Sequence, residues 1–268
     1  MSYILFVFIC LGIVGTISCS HLFTMDAATT ITTSCRHLLA TARGNWMFAL
    51  TLKERLFPEE VSNDPPLEGK YVVVFIHGRN GHPSNWNITI NNIIEINDTF
   101  MHDYYLRAVY LGPTHNTTFD DDAAVLHEYL KKYHQCHIIL VGVSKGGVVA
   151  MNYKVKYNQN ITVITISSPL KGTKIASLFP ITSIVGSTLG YNNAIVTDIK
   201  HGITNYSNVY HIVPLWDHVI IPTSSAYYDE TPKDNVYFHN DSYYSHASIQ
   251  YDMKVAHQLI KFIKHNSR

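Results

Sequence analysis

Cysteine is scarce, with four in 268 residues. Two of them, Cys10 and Cys19, lie in or beside an apolar N-terminal run. Cys35 and Cys136 are left as the candidate pair in an oxidising compartment, and their positions in the sequence do not say whether they meet. Charge of one sign is lacking too: 20 Lys and Arg are balanced by 20 Asp and Glu. There is no basic block and no interleaving of aromatic with basic residues, so no nucleic-acid partner is expected. Internal repeats and low-complexity tracts are absent. Histidine is abundant, at 16, yet no pair has metal-ligand spacing of the H-E-x-x-H kind, so no metal site is expected.

What is present starts with Tyr3 to Ser18, an almost unbroken apolar run ahead of the small residues Ser18, Cys19 and Ser20. A bilayer span takes about 20 residues, and this run better matches the apolar part of a secretory signal. No Lys or Arg precedes it, and an uncleaved membrane anchor is the alternative. Either one carries the rest of the chain into the secretory lumen or beyond. N-x-[ST] acceptor sequences at Asn87, Asn97, Asn116, Asn160, Asn205 and Asn240 agree with that placement, and glycosylation would put them on the surface. Residues 1–20 are therefore read as leader or anchor and residues 21–65 as an N-terminal extension. The extension holds a short amphipathic helix over 45–57 and a proline-rich loop around Pro58, Pro65 and Pro66. Residues 66–268 are read as one domain.

In that domain apolar segments alternate with helical ones. Strands are predicted at 71–76, 105–111, 138–143, 161–166, 209–213 and 236–239. Helices are predicted at 84–96, 120–133, 146–157 and 249–264. Such alternation argues for an α/β fold with a mostly parallel central sheet and helices on both faces, and in such sheets functional sites gather at the carboxyl ends of the strands.

The third strand runs into Gly142-Val143-Ser144-Lys145-Gly146, which fits G-x-S-x-G, a sharp turn from strand to helix with serine at its apex. Glycines flank the serine because the turn leaves no room for Cβ atoms, and the hydroxyl then projects clear of the backbone. A serine nucleophile needs a base, and the base needs a carboxylate to orient it. Asp217 follows the fifth strand among apolar neighbours, with Asp198 and Asp229 as weaker competitors. His246 lies in a loop before the last helix, where its ring can reach both serine and carboxylate. His239 ends a strand and His257 falls inside the helix, so they are the lesser alternatives. After the first strand, His77-Gly78-Arg79-Asn80-Gly81 forms a Gly-rich corner. The amides of Arg79 and Lys145 are the expected donors to a developing oxyanion.

From about Lys70 to Lys264 the chain resembles α/β-hydrolases of the lipase and esterase group. The resemblance is carried by His77-Gly78, Gly142-Val143-Ser144-Lys145-Gly146-Gly147, Ser168-Pro169-Leu170-Lys171-Gly172-Thr173, Asp217-His218-Val219-Ile220-Ile221-Pro222 and His246. Many lipases have His before the serine and Met or Gln after it, where this chain has Val143 and Lys145. The Lys145 side chain either adds positive potential near the site or points to solvent. The resemblance implies carboxylic ester hydrolysis by Ser144, His246 and Asp217, with no cofactor. It also implies an apolar acyl or lipid ester as substrate and admits association with a membrane or lipid surface. The stretch between Lys171 and Tyr206 lacks strand character and stands where such proteins carry a lid over the acyl pocket. An acyltransferase or thioesterase with the same three residues, and a glycosylated binding protein without catalysis, are the competing readings.

Overall fold

The structure is a computed structural model, and it describes residues 69–112, 117–178 and 188–266, together with Ala42. The expected leader, the expected extension apart from Ala42, Cys35, the acceptor Asn116 and part of the expected lid lie outside the described residues.

Six strands form a single parallel sheet: β1 (Tyr71–Ile76), β2 (Tyr104–Val109), β3 (His137–Val143), β4 (Thr162–Ile166), β5 (Val209–Pro214) and β6 (Val236–His239), in the order β2-β1-β3-β4-β5-β6. Every described pairing is parallel, so each crossover must pass over a sheet face. Among the described residues from 69 onward the α-helices are α1 (Asn87–Ile96), α2 (Phe100–Asp103), α3 (Phe119–Leu130), α4 (Lys145–Lys156), α5 (Lys174–Leu178), α6 (Ala194–Gly202) and α7 (Met253–His265).

Alternation along the strands divides the core. Val72, Val74 and Ile76 of β1 pack with Leu140, Val163 and the buried faces of α3, α4 and α6. Val73 and Phe75 point the other way, with Ile139, Val141, Ile164 and the inner faces of α1 and α7. With both faces covered, the central strands are largely apolar, as parallel strands between helices should be, with Thr165 of β4 and His211 of β5 among the buried polar exceptions. Among the described residues no helix is long and apolar enough to cross a membrane.

Element boundaries differ from the sequence reading where a cap or a pairing decides them. The second strand spans Tyr104–Val109 rather than 105–111, because its ladder with β1 runs from Tyr71↔Tyr104 to Ile76↔Val109. Helix α3 begins at Phe119, one residue before the acidic run. Thr118 caps it, its Oγ1 accepting from the Asp121 amide at 3.1 Å while Asp121 Oδ2 accepts from the Thr118 amide at 3.0 Å. The last predicted helix is interrupted: Ile249–Tyr251 form one 3-10 turn, and Asp252, with extended backbone, caps α7 by accepting from the Lys254 amide.

Candidate active site

Parallel register brings the carboxyl ends of β3, β4 and β5 side by side, Val143 opposite Ile166 and Ile166 opposite Ile212. Ser144 follows β3 directly. Its backbone lies at φ 54°, ψ −124°, the left-handed side of the map that a serine seldom occupies. Two close approaches force this turn. A Cβ on Gly142 would stand 2.4 Å from the Gly146 carbonyl oxygen, and one on Gly146 would stand 2.4 Å from the Ile76 carbonyl oxygen. Helix α4 can start against β1 only if both positions lack side chains, so the flanking glycines hold the serine at the apex.

His246 Nε2 is 2.9 Å from Ser144 Oγ, and His246 Nδ1 is 2.8 Å from Asp217 Oδ2. The structure thus brings together the three residues that the sequence pointed to, from positions 102 and 29 residues apart. Asp217 is buried, at 8 % exposure, and its carboxylate is fully engaged. Oδ1 accepts from the amides of Val219 at 2.8 Å and Ile220 at 3.1 Å, while Oδ2 faces His246 and the hydroxyl of Ser167. Burial by itself would raise the pKa of this carboxyl. The charge and hydrogen bond of His246, the charge of His218 and the Ser167 hydroxyl together outweigh it, and Asp217 is held well below the usual carboxylate range.

The competitors are engaged elsewhere or face solvent. His239 Nε2 contacts Asp252 Oδ2 at 2.5 Å in the core. His257 and Asp198 are exposed on their helices, and Asp229 pairs with Lys171 at 2.9 Å on the surface.

The corner after β1 lies against the serine. A Cβ on Gly78 would sit 3.2 Å from Ser144 Cβ, which puts Arg79 one residue from the contact. His77, buried, fixes this corner. Its Nε2 accepts from the Leu111 amide at 3.3 Å, so the proton is on Nδ1, which donates to the Gly78 carbonyl at 2.9 Å. Lys145 opens α4 directly after the serine, the usual place for the second oxyanion donor.

The Lys145 side chain does neither of the things expected from the sequence. It is 1 % exposed and its ammonium lies 2.5 Å from Asp122 Oδ2, itself buried. Thr117 completes the cluster, its hydroxyl donating to Asp122 Oδ1 at 2.7 Å and its oxygen atoms accepting from Lys145. The positive charge is neutralised inside the fold, away from solvent. Burial raises the Asp122 carboxyl and lowers the Lys145 ammonium. Two residues escaped the sequence reading here, Asp122 and Ser167. The one local hint of Ser167 was a serine standing directly after a buried strand.

The segment Ser168-Pro169-Leu170-Lys171-Gly172-Thr173 braces the loop that bears the acid. Thr173 Oγ1 donates to the Val219 carbonyl at 2.6 Å and accepts from the Ile221 amide at 3.2 Å. Beyond it, α5 and α6 occupy part of the stretch expected to form a lid, while residues 179–187 lie outside the described residues.

No family model matches the sequence, and no curated protein matches it. Solved structures do. An alpha/beta hydrolase enzyme from the metagenome of lagoon sediments at Mar Chica, Morocco, is 18 % identical, with a TM-score of 0.54 over 75 % of this chain and 93 % of that one. Est1E from Butyrivibrio proteoclasticus, a structure with ferulic acid bound, is 16 % identical, with a TM-score of 0.50 over 76 % of this chain and 91 % of that one. Phospholipase PlaB from Legionella pneumophila is 13 % identical with a TM-score of 0.44, over 54 % of this chain; the chain spans only 39 % of that protein's length. Together with the six-stranded parallel sheet, the first two likenesses establish that this chain has the α/β-hydrolase fold.

Proposed function

We propose that the protein is a serine hydrolase that cleaves carboxylic esters with an apolar acyl group, lipid esters among them. One observation carries the reading: an unbroken relay from Asp217 Oδ2 through both ring nitrogens of His246 to Ser144 Oγ, with steps of 2.8 and 2.9 Å, ending on a serine held at positive φ.

In this reading Ser144 Oγ attacks the acyl carbonyl carbon while His246 Nε2 takes its proton. Asp217, ionised, keeps the other ring proton on Nδ1 and stabilises the imidazolium that forms. The amides of Arg79 and Lys145 hold the negative oxygen of the tetrahedral intermediate. The intermediate collapses, the acyl–oxygen bond breaks, and His246 returns its proton to the leaving alkoxide. Water then attacks the acyl-serine by the same route, releasing the acid and restoring the serine. A secretory location belongs to the proposal. It is supported by the apolar leader and by the exposure of the acceptor residues Asn160 and Asn240, and a shift in mobility on glycosidase treatment of the secreted protein tests it.

A fluorophosphonate probe on purified protein tests the chemistry. Wild type is expected to label and Ser144→Ala to be silent, and p-nitrophenyl esters of increasing chain length then rank the acyl preference. A folded wild type that stays unlabelled, both in buffer and with detergent micelles, overturns the hydrolase reading and leaves a binding protein on this fold.

A further inference from the structure

Ser167 stands directly after β4, between the ends of the strands that lead to Ser144 and Asp217, and it is fully buried. Its backbone lies at φ 48°, a conformation costly for any residue with a Cβ and one that persists only where the surroundings impose it. The Ser167 amide donates to the Ile212 carbonyl at 3.0 Å, which pins that backbone to β5, the strand that carries the acid loop. The side chain donates its hydroxyl proton to Asp217 Oδ2, and the same oxygen lies 3.0 Å from His246 Nδ1.

The protons in this triangle can be assigned. Asp217 Oδ1 is already taken by two amides, so any further donor must meet Oδ2. His246 Nε2 must be bare to accept the proton of Ser144, so Nδ1 carries the ring proton. The hydroxyl of Ser167 then cannot donate to Nδ1, and its only acceptor in the triangle is Asp217 Oδ2. Its lone pair is left facing Nδ1–H. In the opposite tautomer Nδ1 would be bare and would draw the Ser167 proton to itself, and Asp217 Oδ2 would lose both of its donors while buried. Oδ1 would keep its two amides, but a buried carboxylate oxygen left without a donor is disfavoured.

We propose that Ser167 is a positioning residue, a fourth member of the relay: it orients Asp217 and biases His246 toward the tautomer that can take the serine proton. The inference rests on the proposed Ser144–His246–Asp217 chemistry, and its test separates the two. Two variants remove the hydroxyl with opposite effects on the backbone. Ser167→Gly relieves the positive φ, whereas Ser167→Ala keeps it. Loss of a hydrogen bond to a charged group corresponds to a fall in kcat of about ten- to a hundredfold. We expect that fall in both variants, with KM within about twofold of wild type because no contact to substrate is lost.

The far-downfield proton resonance of His246 Nδ1, which needs no turnover, is expected to move in both variants relative to wild type. Wild-type kcat in both variants, or a loss confined to Ser167→Ala and tracking its stability, overturns the proposal. If wild type itself fails to react with the fluorophosphonate, the hydrolase reading falls, and the resonance still decides Ser167: a shift in Ser167→Gly upholds the hydrogen bond, and an unmoved line overturns it.

Discussion

Lys145 and Asp122 are two opposite charges buried beside the turn that carries Ser144, the candidate nucleophile, and paired with each other. The cost of removing both from water is met only while each has the other. Deleting one partner strands a charge in the core, whereas replacing both with apolar side chains of similar volume can be neutral. Lys145→Met and Asp122→Leu are each expected to lose about 3–5 kcal/mol in urea denaturation, and the double variant to recover most of it. Two additive losses would show that the pair acts separately. At this scale the candidate site was legible where its residues sit in a local pattern. Ser144 stood out through its glycines, Asp217 through its apolar neighbours and His246 through its place before a helix. Ser167 and Asp122 were not legible, because what makes them matter is a contact across many residues, 50 in the case of Ser167 and Asp217. Lys145 reads either as a charge near the site or as a solvent-facing residue until Asp122 is seen beside it.

Among the elements, the loop between β6 and α7 carries His246, and its two ends are clipped together. His239, the last residue of β6, contacts Asp252, the cap of α7, at 2.5 Å with both side chains buried. Asp252 therefore does two things: it caps the helix and closes the loop. Asp252→Ala removes the cap, worth about 0.5–2 kcal/mol, and also leaves His239 buried without its acceptor. It is expected to lower the urea midpoint and slow Ser144 labelling. Asp252→Asn caps nearly as well but is a poorer partner for His239, so it should retain most of the stability while labelling still slows. Equal labelling rates in Asp252→Asn and wild type would separate the clip from the site. The sequence located this last helix but not its break, because the pattern of apolar residues runs through Ile249 to Tyr251 without interruption. The break is set by Asp252 turning its backbone to extended values so that its carboxylate can reach the Lys254 amide.

For the molecule as a whole, the sheet was the most legible feature. A parallel strand covered on both faces is mostly apolar, and that demand writes itself into short runs such as Tyr71–Ile76 and Ile138–Val141. The identity of the polar groups inside the two cores was not legible, and one of them links the fold to pH. His211, in the middle of β5, is fully buried, with Nδ1 2.7 Å from Thr165 Oγ1 and Nε2 3.0 Å from Thr231 Oγ1. Burial, and secondarily the charge of Lys171, lower its pKa from 6.5 to about 3. Below pH 6.5 the unfolded chain binds a proton at this residue that the folded chain refuses. The unfolded state is then the one with more protons, and stability falls as pH falls, until the folded group also titrates near 3. The slope from one such group approaches about 1.4 kcal/mol per pH unit. His211→Gln cannot titrate. It should be less stable than wild type at pH 7, because it disturbs the two threonine contacts, yet its unfolding free energy should fall less steeply between pH 6 and 4 by about that amount per unit. Urea titrations of both proteins across this range measure the two slopes. Parallel slopes would mean that His211 is protonated in the folded sheet, with Thr165 and Thr231 both accepting from a cationic ring at the centre of the core.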